Sequence, residues 1–218
     1  MKNSNDKAGF LGGVTASVTH ELQNVLAIIK ETSGLMEDFL LMNQAGGMPD
    51  LDERLGKCLE TIKKQSYRGV TLTSRLNGFA HTSDSPQSTI NIFETLQKMI
   101  SITDRLFKQK GIDVSIIPCD TPYSIITDAI LFQMIAFSCI ECLIDAFQAN
   151  TAIILAIQSS ESQAAIQLLC NNRDLNHMDY RQKIIQTHHW EKINALCEQL
   201  GLKADISTDI PALLIFFK

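Results

Sequence analysis

Ser17-Val18-Thr19-His20-Glu21-Leu22-Gln23-Asn24-Val25-Leu26-Ala27 is the stretch whose reading decides the fold. Outward from it, Val14, Val18, Leu22, Val25, Ile29, Met36 and Leu40, with Thr32 filling the one gap, keep a three-and-four spacing that draws one apolar stripe along a long helix. His20 does not belong to that stripe. At 100° per residue it stands about 140° to 160° from Val18, Leu22 and Val25, so it faces solvent. Ser17 and Asn24 lie one turn away on its side, and Glu21 is its neighbour. Near neutral pH an unprotonated ring nitrogen is a nucleophile, and an acceptor on the other nitrogen selects the tautomer. Position alone assigns no role, because most exposed helix histidines have none.

The helix is expected to end near Asn43, where Gln44-Ala45-Gly46-Gly47-Met48-Pro49 brings two permissive glycines and then a proline. Asp50 is placed as the N-cap of a second helix, with Glu53 in the spacing of a capping box. That helix carries Leu51, Leu55, Cys58, Ile62, Gln65, Gly69, Leu72, Leu76 and Phe79 in four-three alternation, a heptad seam with weak positions at Gln65 and Gly69. Two antiparallel helices with one stripe each cannot bury those stripes fully against one another. Dimerisation through residues 8–43 and 50–82 into a four-helix bundle is therefore expected, with a hairpin packed on its own C-terminal domain as the alternative.

The whole chain has 218 residues, 45% apolar and 20% charged, which excludes disorder and collagen-like repeats. A net charge of -5 argues against a broad nucleic-acid face, which needs a Lys/Arg surplus. No apolar run is read as reaching the ~18 residues of a membrane span, and residues 1–7 lack a signal-peptide core, so no membrane contact and a cytoplasmic location are expected. The six cysteines are scattered. Cys139 and Cys142 form a C-x-x-C inside the apolar run 130–147, with no second pair, and read as core rather than zinc or redox chemistry. After a polar linker at 81–88, helices are expected at 91–110, 128–148 and 188–200. Strands are expected at 112–117, 123–126, 152–158, 164–170, 203–207 and 212–217, an α+β sandwich order.

The string around His20 resembles the H-box of sensor histidine kinases, in which a phosphoacceptor histidine precedes an acidic, an apolar and a polar residue, then Asn or Thr, usually Pro, and Leu. The chain departs once, with Val25 where that proline is common. Residues 8–82 resemble the dimerisation and histidine-phosphotransfer domain of that family, and residues 90–218 resemble, in element order, its GHKL-type ATP-binding domain. The expected division is 1–82, a linker at 83–89, and 90–218. The resemblance implies that His20 carries a phosphoryl group, that Glu21 orients or deprotonates its ring, and that Asn24 positions water when a response regulator is dephosphorylated. Ile140-Glu141-Cys142-Leu143-Ile144-Asp145-Ala146 looks like a worn Asn box, with Asp145 where the metal-coordinating asparagine is expected and Glu141 as the other alignment. Both acids equally fit the exposed side of a buried helix.

The family's nucleotide site needs glycines so that backbone N–H groups can approach phosphates, yet no glycine stands between Gly111 and Gly201. Cys170-Asn171-Asn172-Arg173-Asp174 occupies the place of the first glycine motif, and the lid is shortened to 171–187. A degenerate domain is expected, with ATP not bound in the family's manner and no firmly held cofactor. The Mg²⁺ for transfer would come with a partner's receiver domain. His177, His188 and His189 permit a metal site to be imagined, but spacing of this kind is weak, and surface histidines near a helix start are the preferred reading, with no metal assigned. Trp190 reads as the anchor of its helix.

These expectations converge on a dimeric phosphorelay protein that passes a phosphoryl group on His20 to or from response-regulator aspartates, with an upstream histidine kinase as one donor. The alternatives are an ATP-dependent histidine kinase core and a non-enzymatic pseudokinase scaffold or phosphatase for a response regulator.

Overall fold

The computed structural model describes residues 2–83, 87–119, 122–147, 152–159, 164–170 and 177–217. The middle of the expected linker and the stretch 171–176 lie outside the described residues. The chain is α+β and forms two compact units, residues 12–78 and residues 1–11 together with 79–218.

The first unit is a helical hairpin of α1 (Lys2–Gly46) and α2 (Leu51–Ala80). Its seam follows the apolar stripes. Val14, Val18 and Val25 are buried on α1, and Cys58 and Leu72 on α2, each removing apolar surface from water. The stripe opens toward the loop, where Leu40 is exposed. Gly47 closes α1 at φ 79°, its N–H donating to the Asn43 carbonyl at 2.9 Å, while Met48 N–H donates to Asn43 Oδ1 at 2.9 Å. The capping box expected at Asp50 does not form. Asp50 sits at φ 60° rather than in the extended backbone of an N-cap, and Glu53 pairs with Lys57 at 2.6 Å. Aspartate tolerates this left-handed conformation better than most side chains.

The second unit is a sheet with helices on one face. Its elements are β1 (Ser88–Asn91), α3 (Ile92–Lys108), β2 (Asp113–Ile116), β3 (Ser124–Thr127), α4 (Ala129–Phe147), β4 (Ala152–Ser159) and β5 (Ala164–Cys170), then α5 (His177–Gln186), α6 (His188–Gln199), β6 (Lys203–Ile206) and β7 (Ala212–Phe217). Five strands run in the order β2-β4-β5-β7-β6, parallel only at β2 and β4, while β1 and β3 form a separate antiparallel pair. Leu155 faces Leu168, and Leu168 faces Leu213, so one row of side chains crosses the sheet into the core.

Helix α4 is the centre of that core. Asp128 starts it, Oδ1 accepting from the N–H groups of Ile130 at 3.1 Å and Leu131 at 3.0 Å, while its other oxygen pairs with Lys7. The expectation that no segment reaches the length of a membrane span needs correcting. Among the described residues α4 does so by length and composition, with 19 residues, a mean hydropathy of 1.8 and 67% of its apolar window buried inside the fold. Apolar residues all round mark equally a helix enclosed by protein, and here the sheet, α3, α5 and α6 surround it. Cys139 and Cys142 lie in this core, and burial pushes both thiols up, Cys142 to about 11, which keeps them protonated and unreactive. Phe10, from the start of α1, packs edge-on against Phe79 and Phe137, with ring centroids 5.7 and 5.3 Å apart. Trp190 is half-buried against the core.

Candidate functional site

The hairpin unit presents His20 on the exposed side of α1, with Val18 and Val25 buried on the other. Helix α1 runs unbroken through Val25, so His20 and Asn24 stay one turn apart on one face. Asn24 Nδ2 lies 3.4 Å from His20 Nδ1. An amide donating to Nδ1 places the ring proton on Nε2. Turned over, the same amide offers Oδ1 to an Nδ1–H and leaves the lone pair on Nε2, the form that attacks phosphorus.

Glu21 faces the partner helix. Its Oε2 accepts from Arg68 Nη2 of α2 at 3.0 Å, and its side chain is only 12% exposed. Arg68 is a residue that reading along one helix does not reveal, because only the antiparallel register brings it to Glu21. The Arg68 guanidinium is half-exposed, and its charge is paired with the Glu21 carboxylate.

The sheet unit gathers a second polar group. Glu141 and Asp145 stand one turn apart on α4, Asp145 exposed and Glu141 half-buried. His189 of α6 packs over them, with Nε2 3.1 Å from Asp145 Oδ2 and Nδ1 3.9 Å from Glu141 Oε2. Lys110 Nζ lies 3.9 Å from the other Glu141 oxygen. The reading of surface histidines holds for His188, which is exposed, and not for His189, which is buried. Its place on the second residue of α6 turns it inward against α4. Burial lowers the His189 pKa, and the neighbouring His188 adds to this, while Glu141 and Asp145 pull the other way. The side chain of His177 lies outside the described ones. Lys110 and the burial of His189 are features that local sequence does not signal.

No protein-family model matches the chain, and no curated protein matches it. Among solved structures, it is similar to the nucleotide-free catalytic domain of histidine kinase ThkA over 61% of this chain and 94% of that one, at 11% identity and a TM-score of 0.47. It is similar to ThkA in complex with the response regulator protein TrrA over 98% of this chain and 62% of that one, at 12% identity and a TM-score of 0.47. It is also similar to the ATP binding domain of PrrB from Mycobacterium tuberculosis over 60% of this chain and 95% of that one, at 16% identity and a TM-score of 0.47.

Proposed function

We propose that the protein is a dimeric two-component phosphorelay protein that exchanges a phosphoryl group between His20 and the aspartates of response-regulator receiver domains without using ATP. The observation that carries this reading is the placement of His20, exposed and one turn from Asn24, on a rigid helix whose opposite side is buried. Transfer from a receiver needs a ring nitrogen in line with the acyl phosphate. The Nε2 lone pair forms the P–N bond as the P–O bond to aspartate breaks, and the carboxylate leaves as an anion. Nδ1 keeps its proton, held by the Asn24 amide oxygen. The receiver brings its own Mg²⁺, which offsets the charge of the phosphoryl group in transfer.

Dimerisation is part of the proposal. Leu26, Leu59 and Val70 are 64%, 56% and 64% exposed. Each stands about 100° past a seam position, namely Val25, Cys58 and Gly69. In antiparallel helices an equal rotation past the seam puts all three on one flank, where a second hairpin would cover them. Receiver domains of this class reside in the cytoplasm, and the proposal places the chain with them.

The test offers the pure protein a phosphorylated receiver domain and, separately, γ-labelled ATP with Mg²⁺. Acid-labile, base-stable label is expected from the receiver on the wild type and none on His20→Ala, whose helical content and oligomeric state should be unchanged. No label is expected from ATP. Label from ATP that depends on His20 would overturn the ATP-free reading, and transfer surviving in His20→Ala would overturn the role of His20.

A further inference from the structure

We propose that Asp145, His188 and His189 form a binding site for one divalent first-row transition ion, with Zn²⁺ as its simplest occupant, at the junction of α4 and α6. The inference is independent of the role assigned to His20. One carboxylate oxygen and one ring nitrogen from each histidine lie within 4.8 Å of one another. Tetrahedral zinc with bonds of 2.0–2.1 Å sets its ligand atoms about 3.4 Å apart. The Nε2 of His189 and Oδ2 of Asp145 are already 3.1 Å apart. Asp145 and His188 are exposed and can close the remaining gap by rotamer changes, while buried His189 stays fixed.

His189 supplies the second, independent observation. The residue is 7% exposed, and its Nδ1 is buried without a hydrogen-bond partner. A buried, unpaired ring nitrogen is costly, and histidines that ligate metals through one nitrogen commonly donate the other N–H to a carboxylate. Glu141 Oε2, 3.9 Å from Nδ1, is the carboxylate that faces this nitrogen, and a rotamer change of half-buried Glu141 closes the gap while the ring stays in place. Lys110, on the other oxygen of Glu141, fits an outer role for Glu141 and an inner one for Asp145.

Two charges oppose a cation here, the positive end of the α6 dipole and the ammonium of Lys110. The two carboxylates offset them, and both histidines ligate without bringing charge of their own. A two-nitrogen, one-oxygen donor set favours zinc, cobalt, nickel or copper over magnesium or calcium, which prefer oxygen alone. This sets the site apart from one for a nucleotide's Mg²⁺. Three protein ligands leave a position open to water or to a fourth ligand.

The experiment titrates chelator-treated, full-length protein with Zn²⁺ against a chromogenic chelator, and repeats the titration with Co²⁺ to record its visible spectrum. One equivalent per chain is expected, with cobalt bands free of thiolate charge transfer. His188→Ala and Asp145→Asn, both at exposed positions that leave the fold intact, should weaken binding by more than the about 10- to 100-fold that losing an outer-shell partner costs. Glu141→Gln should fall within that range, and His20→Ala should bind as the wild type does. Absence of stoichiometric uptake would overturn the proposal. So would uptake unchanged in both His188→Ala and Asp145→Asn, or a thiolate band, which would move the ion to the cysteines.

Discussion

Leu26→Asp tests the dimer directly, because Leu26 is 64% exposed in the single chain and lies on the flank that a second hairpin would cover. Fully burying a leucine is worth about 1.5–3 kcal/mol, so covering the exposed two-thirds contributes about 1–2 kcal/mol per chain. A two-fold axis counts the residue twice, giving about 2–4 kcal/mol, and the desolvation of aspartate adds to the loss. The dimer dissociation constant should therefore rise at least about 30- to 1000-fold. The isolated hairpin should barely notice, since an exposed substitution away from packed groups changes stability by roughly 0.5 kcal/mol or less. Sedimentation velocity over a concentration series, with circular dichroism at each point, separates the two effects. Tyr67→Asp is the matched control. Tyr67 is 66% exposed but stands roughly opposite the α2 seam, so its dimer should persist. A Leu26→Asp protein with the wild-type dissociation constant, or equal losses in Leu26→Asp and Tyr67→Asp, would refute the assignment of this flank.

Two predictions concern stability. Gly69→Ala should stabilise the hairpin by about 0.8–1 kcal/mol through helix propensity, because a Cβ there meets Val25 Cγ1 at 3.5 Å, an ordinary contact; a lower urea midpoint would show that the helices are closer than this. Tyr180→Phe should raise stability by about 1–3 kcal/mol in urea unfolding, because the Tyr180 hydroxyl is buried without a partner while its ring stacks on Phe147 at 4.8 Å; a loss of about 1 kcal/mol would reveal a water or other partner for the hydroxyl.

What could be read from sequence divides along physical lines. The long helices and the central strands announced themselves through periodicity, and α4 through an apolar run bounded by polar residues. Helix α5 did not, because only Tyr180 and Ile184 of its described side chains are buried, a single turn of signal in a polar stretch. Strand β1 was read as linker and helix start, since its hydrogen-bond partners at Ser124–Thr127 lie far along the chain and leave no local trace. Asp50 had the composition of an N-cap, but the tight loop after Gly47 imposes a left-handed backbone there. At the candidate sites, helix phase put His20 on the exposed face with Asn24 one turn away, while the roles given to them came from the resemblance of the surrounding string. Arg68, Lys110 and the inward turn of His189 depend on pairing between elements, which composition and spacing do not encode.

The sheet unit builds its core with no glycine between Gly111 and Gly201, and a packed core and a phosphate-binding backbone are separable requirements. Its core needs apolar volume, and α4 supplies much of it, from Ala129 and Phe132 to Leu143 and Phe147. Glycines serve a different end, the close approach of backbone N–H groups to phosphate, and the core volume does not depend on them. The fold is therefore no argument that ATP binds. The polar side of α4 carries the argument further. The carboxylates that the histidine-kinase resemblance would assign to a nucleotide's metal are covered by His189, with its Nε2 3.1 Å from Asp145, and Glu141 faces both His189 and Lys110. The missing glycines and the histidine over the acidic face are independent features of the chain, and both are reasons for the ATP-free reading proposed above, which the labelling experiment tests.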